Sequence, residues 1–273
     1  KGAFYIIRER RLSLNDNREK GEEMKVYFIG AGPGDPKLLT IKGKEIIEKA
    51  DVVIYAGSLV NEEILKYAVH AKETHNSAAL YLEELGDIFR RAKERNHDVA
   101  RIHSGDPSIY GAIHEQMILL DNLSIPYEVI PGISSFQAAA AALCQELTLP
   151  LVCQTITLTR MEGRTPVPDK ENLMEIIKTR PTLVLFLSIS RLSEIVEILR
   201  TGYPPSTPVV IVYRVSWPDE KIILGTLEDI LERWDGRVIS KTALIMVGEV
   251  MAKKAGASML YDKNFSHSYR TLL

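Results

Sequence analysis

Cysteine is nearly missing from the 273-residue chain, which carries only Cys144 and Cys153. That spacing matches no zinc or redox motif. Two thiols in so long a chain read as reduced, cytoplasmic residues, unless folding brings them together. Long apolar runs are also lacking: "TLVLFLSI" and "AAAAAL" fall far short of the roughly 18 residues a membrane helix needs, so no membrane association is expected. Nor is there a basic excess. Lys and Arg number 34 against 36 Asp and Glu, a formal net charge of −2, which argues against a dedicated nucleic-acid binder. Local cations around an anionic small molecule remain compatible with that balance.

What is present is alternation. The first 23 residues, "KGAFYIIRERRLSLNDNREKGEE", stand apart, because "FYII" is too short for a signal-peptide core and runs into "RERR". They read as a leader or appended extension with Met24 as the natural start, or alternatively as a functional arm. From Met24 the strand patterns "KVYFIG", "DVVIYAG", "DVARIHSG" and "PYEVIPG" alternate with the helical segments "PKLLTIKGKEIIEKA", "NEEILKYA", "AALYLEELGDIFRRAKERN" and "PSIYGAIHEQMILLDN". Such βα alternation predicts a mostly parallel sheet covered by helices. Beyond the alanine-rich "SSFQAAAAALC", the strands "LVCQTITLTR", "TLVLFLS", "PVVIVYR", "KIILGTL" and "ALIMVGEV" follow, with helices near 169–178, 190–200 and 227–234. The reading is an α/β protein of two α/β domains, 24–146 and 147–273, with a ligand cleft between them.

"FIGAGPGDP" invites a dinucleotide reading and fails it. A Rossmann turn needs G-x-G-x-x-G. Here Gly30, Gly32 and Gly34 are followed by Asp35 where the third glycine belongs, and Pro33 removes an N–H donor. The next strand pattern ends in Tyr55, Ala56 and Gly57 instead of the acidic residue that would hold a ribose. "GDP" returns at 105–107, and "PGISSFQ" forms a third loop in which Ser134 and Gln137 have capping-box spacing. All three loops lie at the carboxyl ends of strand patterns and are expected to open helices there. Open α/β sheets place ligands at that end.

Taken together, "VYFIGAGPGDPKLLTIKG", "DVVIYAGSLV", "SGDPSIYG", "VIPGISSFQAAAAALCQELTLP", "TRMEGRTPVP" and "TLVLFLSIS" resemble the tetrapyrrole methylase family, from about Met24 to about Gly248. Within it, "YAGSLV" and "LTRMEGRTPVP" resemble the branch that methylates a cobalamin precursor at ring carbon C11. The resemblance implies a non-Rossmann, S-adenosylmethionine-dependent methyltransferase, usually a homodimer, with donor and anionic tetrapyrrole in the interdomain cleft. It implies donor contacts at Gly105, Asp106, Ile109, Ser134, Ser135 and Leu187, with Pro33, Tyr213, Arg214, Val215 and Ala243 nearby. Gly32, Gly34 and Asp35 would face the macrocycle. Methylation at another ring carbon or of uroporphyrinogen, a dinucleotide oxidoreductase and a non-catalytic tetrapyrrole carrier are the competing readings.

Methyl transfer from a sulfonium to an electron-rich carbon needs collinear positioning more than acid–base groups or metal. Asp106 is taken as the catalytic-site residue, an anchor for donor or substrate that also caps its helix. His103 reads as a strand-end histidine bonded to backbone before it reads as an acid–base group, and His75 lies near a possible substrate-facing loop. Arg160 and Arg164, with Arg191 and Arg214 behind them, are the candidates for the substrate's carboxylates.

Overall fold

The computed structural model describes residues 23–163 and 165–252. The extension read at 1–23 and Arg164 therefore lie outside the described residues, Glu23 excepted.

Residues 26–130 build a fully parallel sheet. Its strands are β1 (Val26–Gly30), β2 (Val52–Tyr55), β3 (Glu73–Asn76), β4 (Val99–His103) and β5 (Tyr127–Ile130), in the order β3-β2-β4-β1-β5. Strand residues alternate between two cores. Val26, Phe28, Val52, Ile54 and Val99 meet Leu85, Ile88 and Phe89 of α2 (Leu82–Glu94) and Leu120 of α3 (His114–Asn122). On the other face Ile29, Val53, Ala100, Ile102 and Ile130 pack with Ile47 of α1 (Ile41–Lys49) and with Ile64. Two-sided burial is why β1 and β2 read as nearly continuous apolar runs.

Residues 156–247 build a mixed sheet from β6 (Ile156–Arg160), β7 (Thr182–Phe186), β8 (Pro208–Tyr213), β9 (Lys221–Thr226) and β10 (Ala243–Val247), ordered β6-β7-β10-β8-β9. Only β6 and β7 run parallel; the other pairings are antiparallel. One face packs on α5 (Leu173–Ile176), α6 (Leu192–Leu199) and α7 (Ile230–Arg233). The opposite face carries Val184, Val210, Val212, Leu244 and Met246, and these meet Ala138 and Ala139 of α4 (Ser135–Ala142). A helix reached directly from β5 thus covers the second sheet, and its alanines allow the close approach.

Several local expectations are corrected. β3 pairs in parallel with β2 although "ETHN" carries no apolar alternation, so His75 lies on an edge strand, one residue before its end. "NEEILKYA" is a 3-10 helix over Glu62–Tyr67. "GDPSIYGAIH" does not open a helix. Residues 107–110 form a turn, Tyr110 and Ala112 take positive φ of 53° and 48°, and α3 begins only at His114. The first "GDP" does open a helical turn: Asp35 accepts the Lys37 N–H at 2.8 Å, ahead of a short 3-10 segment Pro36–Leu38.

Candidate functional site

Three loops leave the carboxyl ends of β1, β4 and β5, and their glycines serve one another. Gly32 and Gly105 exchange backbone hydrogen bonds of 3.2 and 2.8 Å. A Cβ on Gly132 would come within 2.2 Å of the Gly105 carbonyl, and one on Gly30 within 2.5 Å of Gly132 Cα. Side chains at these points would push the loops apart. Asp106 fastens the crossing: its Oδ2 accepts the Gly132 N–H at 2.8 Å, and Oδ1 accepts the Ser108 N–H at 2.8 Å and the Ser108 hydroxyl. Ser134 then caps α4, with its N–H donating to Gln137 Oε1 at 3.0 Å, which is the expected capping-box contact.

The second sheet supplies the facing wall from the ends of β7 and β8 and the approach to β10. Between the walls lies a cleft of about 370 Å³. First-sheet residues Pro33, Leu59, Ser104, Gly105, Asp106, Ile109, Tyr110, Ser134 and Ser135 line one side. Phe186, Leu187, Ile189, Ser190, Val212, Arg214, Val215, Trp217 and Ser240 to Leu244 line the other. Part of this lining has left-handed backbone. Tyr110, Leu187, Arg214 and Thr242 all hold positive φ, between 45° and 58°, and Leu187 does so with a side chain 73% exposed. Left-handed backbone at non-glycine residues costs free energy and persists where the surroundings over-determine it.

Of the residues expected around the donor, Pro33, Gly105, Asp106, Ile109, Ser134, Ser135, Leu187, Arg214 and Ala243 lie on this cleft. Tyr213 instead packs toward the core beneath α5–α7, while its neighbours Val212 and Arg214 line the cavity. Gly32, Gly34 and Asp35 are not on the lining. Neither is Arg160, whose guanidinium donates to the carbonyls of Met161, Thr165 and Pro166 at 3.3, 3.1 and 2.8 Å. Arg191 is likewise occupied, by Glu194 and the Glu162 carbonyl. Both arginines brace backbone carbonyls at residues 161–162 and 165–166.

His103 is buried in the β4 face beside Phe28, with ring centroids 5.9 Å apart. Burial, and then the charge of Arg101, lower its pKa to about 3, opposed by a hydrogen bond to the Gly111 backbone. It is a neutral core histidine behind the 104–113 loop. Arg101 shares that position: its Nε–H donates to Gln116 Oε1 at 3.0 Å, and Gln116 Nε2–H donates to the Ala112 carbonyl at 2.9 Å. Desolvation lowers the Arg101 pKa to about 10.

The sequence reading missed Tyr110, Trp217 and Lys241. Tyr110 reaches across to Phe186, ring centroids 5.2 Å apart, and Trp217 hydrogen-bonds Pro33 from the opposite sheet. One signal was available for Trp217, since it is one of only two tryptophans in the chain and lies between two strand patterns. Among the described residues no cluster of His, Cys, Asp and Glu could hold a metal ion.

Residues 25–231 match the family model for tetrapyrrole (corrin/porphyrin) methylases. A cobalt-precorrin-4 C(11)-methyltransferase of Methanocaldococcus jannaschii is 54% identical over 248 residues, covering 90% of this chain and 96% of the relative. The crystal structure of a cobalt precorrin-4 methyltransferase superimposes with a TM-score of 0.81 at 42% identity, over 84% of this chain and 96% of that one. A uroporphyrin-III C-methyltransferase from Thermus thermophilus, complexed with S-adenosylhomocysteine, gives a TM-score of 0.68 at 28% identity, over 84% and 99%.

Proposed function

The chain belongs to the tetrapyrrole methylase family, and from that premise we propose that it transfers a methyl group from S-adenosylmethionine to C11 of precorrin-4 or its cobalt form, in cobalamin biosynthesis. The observation that carries the reading is the cleft shared by two sheets, with strand-end loops of the first facing strained residues of the second.

The lining fits such a donor. Ile109, Phe186, Leu187, Val212, Val215 and Leu244 offer apolar surface for a purine, and the hydroxyls of Ser104, Ser134, Ser135 and Thr242 suit its ribose and amino-acid portions. When bound, S-adenosylmethionine supplies an electrophilic methyl group on a sulfonium sulfur. The residues of the chain bind and orient. Asp106 works through the loops it joins, as a positioning residue, and its carboxylate oxygens are already engaged. Ser134 and Ser135 present the start of α4 to the cleft. Methyl transfer from a sulfonium depends on collinear alignment, which can be worth about 7–11 kcal/mol of barrier. Any cobalt is carried by the substrate. The two free thiols, Cys144 and Cys153, suit a reducing cytoplasm, and the family resemblance implies a homodimer.

Incubation with carbon-13-methyl S-adenosylmethionine and the tetrapyrrole, followed by carbon NMR, tests the assignment. A single label at C11 is expected, and a label on another ring carbon overturns it. Calorimetry should give one tight S-adenosylhomocysteine site per chain, and an NADH isotherm in its place overturns the donor class.

A further inference from the structure

Trp217 follows β8 of the second sheet, yet it reaches the first. Its Nε1–H donates to the Pro33 carbonyl at 3.0 Å. A Cβ built on Gly34 would stand 2.2 Å from the indole Cδ1 and Nε1, so the ring rests on the Gly34 backbone. Gly34 has no positive φ, and its glycine is therefore demanded by the indole and not by the turn. Beside it the Asp35 N–H donates to Ser216 Oγ at 3.0 Å. The Arg214 guanidinium lies 4.0 Å from the indole centroid and is tied to Asp219 at 2.8 Å. Arg214 and Ser216 both hold positive φ, of 45° and 66°.

Two consecutive residues of one sheet thus hold three consecutive residues of the other. The first sheet secures the 30–36 loop firmly only as far as Gly32, through its pairing with Gly105. Beyond that point it contributes the Asn61 Nδ2–H bond to the Gly34 carbonyl, at 2.9 Å. Pro33 and Trp217 both line the cleft.

We propose that this contact is a latch, with Trp217 the positioning residue that fixes residues 33–35 across the cleft, so that Gly34 and Asp35, which stand off the donor's lining, give the tetrapyrrole one rigid wall. The inference rests on the methyltransferase reading for its substrate. A displacement of about 1 Å in such a wall can cost about a hundredfold in rate, which is the sense in which a residue that breaks no bond can control turnover.

The test uses Trp217→Phe, Trp217→Ala, Gly34→Ala and the double variant Gly34→Ala/Trp217→Ala in the full chain. Trp217→Phe keeps a ring and loses the N–H, and kcat/KM for the tetrapyrrole should fall about tenfold, while S-adenosylhomocysteine affinity stays within about threefold. Gly34→Ala should match Trp217→Ala alone and add nothing in its background, because the alanine acts only by displacing the indole. Gly34→Ala should also move the Trp217 fluorescence to longer wavelength. Additive losses in the double variant, or unchanged emission in Gly34→Ala, overturn the latch. So does lowered thermal stability with wild-type kcat/KM per donor site, which would leave the residue a structural role only. A fall in S-adenosylhomocysteine affinity that equals the fall in kcat/KM overturns it too, and moves Trp217 to the donor's wall. Should the wild-type protein methylate no tetrapyrrole, the proposed function fails, and the emission of Gly34→Ala then judges the latch by itself.

Discussion

Lys241 is the one unspent charge on the cleft among the described residues. Asp106 gives its oxygens to two loops, and Arg214 is paired with Asp219. Lys241 lines the same space, is exposed and has no ion-pair partner there. A substrate rich in carboxylates would find its counter-charge at this point. Lys241→Met is therefore expected to raise KM for the tetrapyrrole about tenfold, the size of one charge-assisted hydrogen bond. S-adenosylhomocysteine affinity should hold, and Lys241→Arg should restore most of the loss. Steady-state kinetics with calorimetry checks this, because a weakened donor affinity would point to the donor's own carboxylate instead. His103 carries a second expectation at this scale. Its folded pKa of about 3 lies below the ordinary histidine value, so between pH 6.5 and 3 the unfolded chain takes up a proton that the folded chain refuses. Stability contributed by this site is complete above pH 6.5 and falls as pH drops. From pH 7.5 to 5 the loss amounts to about 2 kcal/mol. Urea midpoints at pH 7.5 and 5 should show that slope, and His103→Gln should flatten it.

At the scale of elements, legibility in the sequence followed burial. β1 and β2 are covered on both faces and announced themselves as apolar runs, while β4 is equally buried but carries Arg101 and His103. β3 was invisible because an edge strand of "ETHN" owes its place to pairing with β2, not to side-chain pattern. The turn at 107–110 was misread as helix, since nothing local tells that Tyr110 and Ala112 will adopt positive φ. The three glycine loops were legible as strand ends. Their glycines, however, fit against one another and against Trp217, a long-range relation no local pattern carries. Arg160 was chosen for its charge, and its loop carbonyls claimed it first. The run of alanines in α4 was legible as composition, but that its small side chains pack against the second sheet was not. Ala139, fully buried against that sheet, should not accept a larger side chain. Ala139→Leu is expected to cost about 1–3 kcal/mol through overpacking, read as a lowered Tm, and to weaken S-adenosylhomocysteine binding because Ser134 and Ser135 move with the helix.

Across the whole molecule, neither sheet makes the cleft alone. The first brings loops that its own glycines and Asp106 have already locked together. The second brings strained residues and the tryptophan that reaches back to Pro33. Tyr110 against Phe186 and Trp217 against Pro33 join the halves at two points of the cleft lining, so a change in one wall is felt in the other. The left-handed residues around the cleft have a consequence for how such a protein persists. Glycine would relax the backbone at Leu187, Arg214 or Thr242, and a laboratory selection for heat tolerance alone would be drawn to those substitutions. It would return sturdier, idle proteins. The shape of this cleft is held in place only by selection for turnover, and a lineage that stopped needing the product would be expected to lose that shape before it lost the fold.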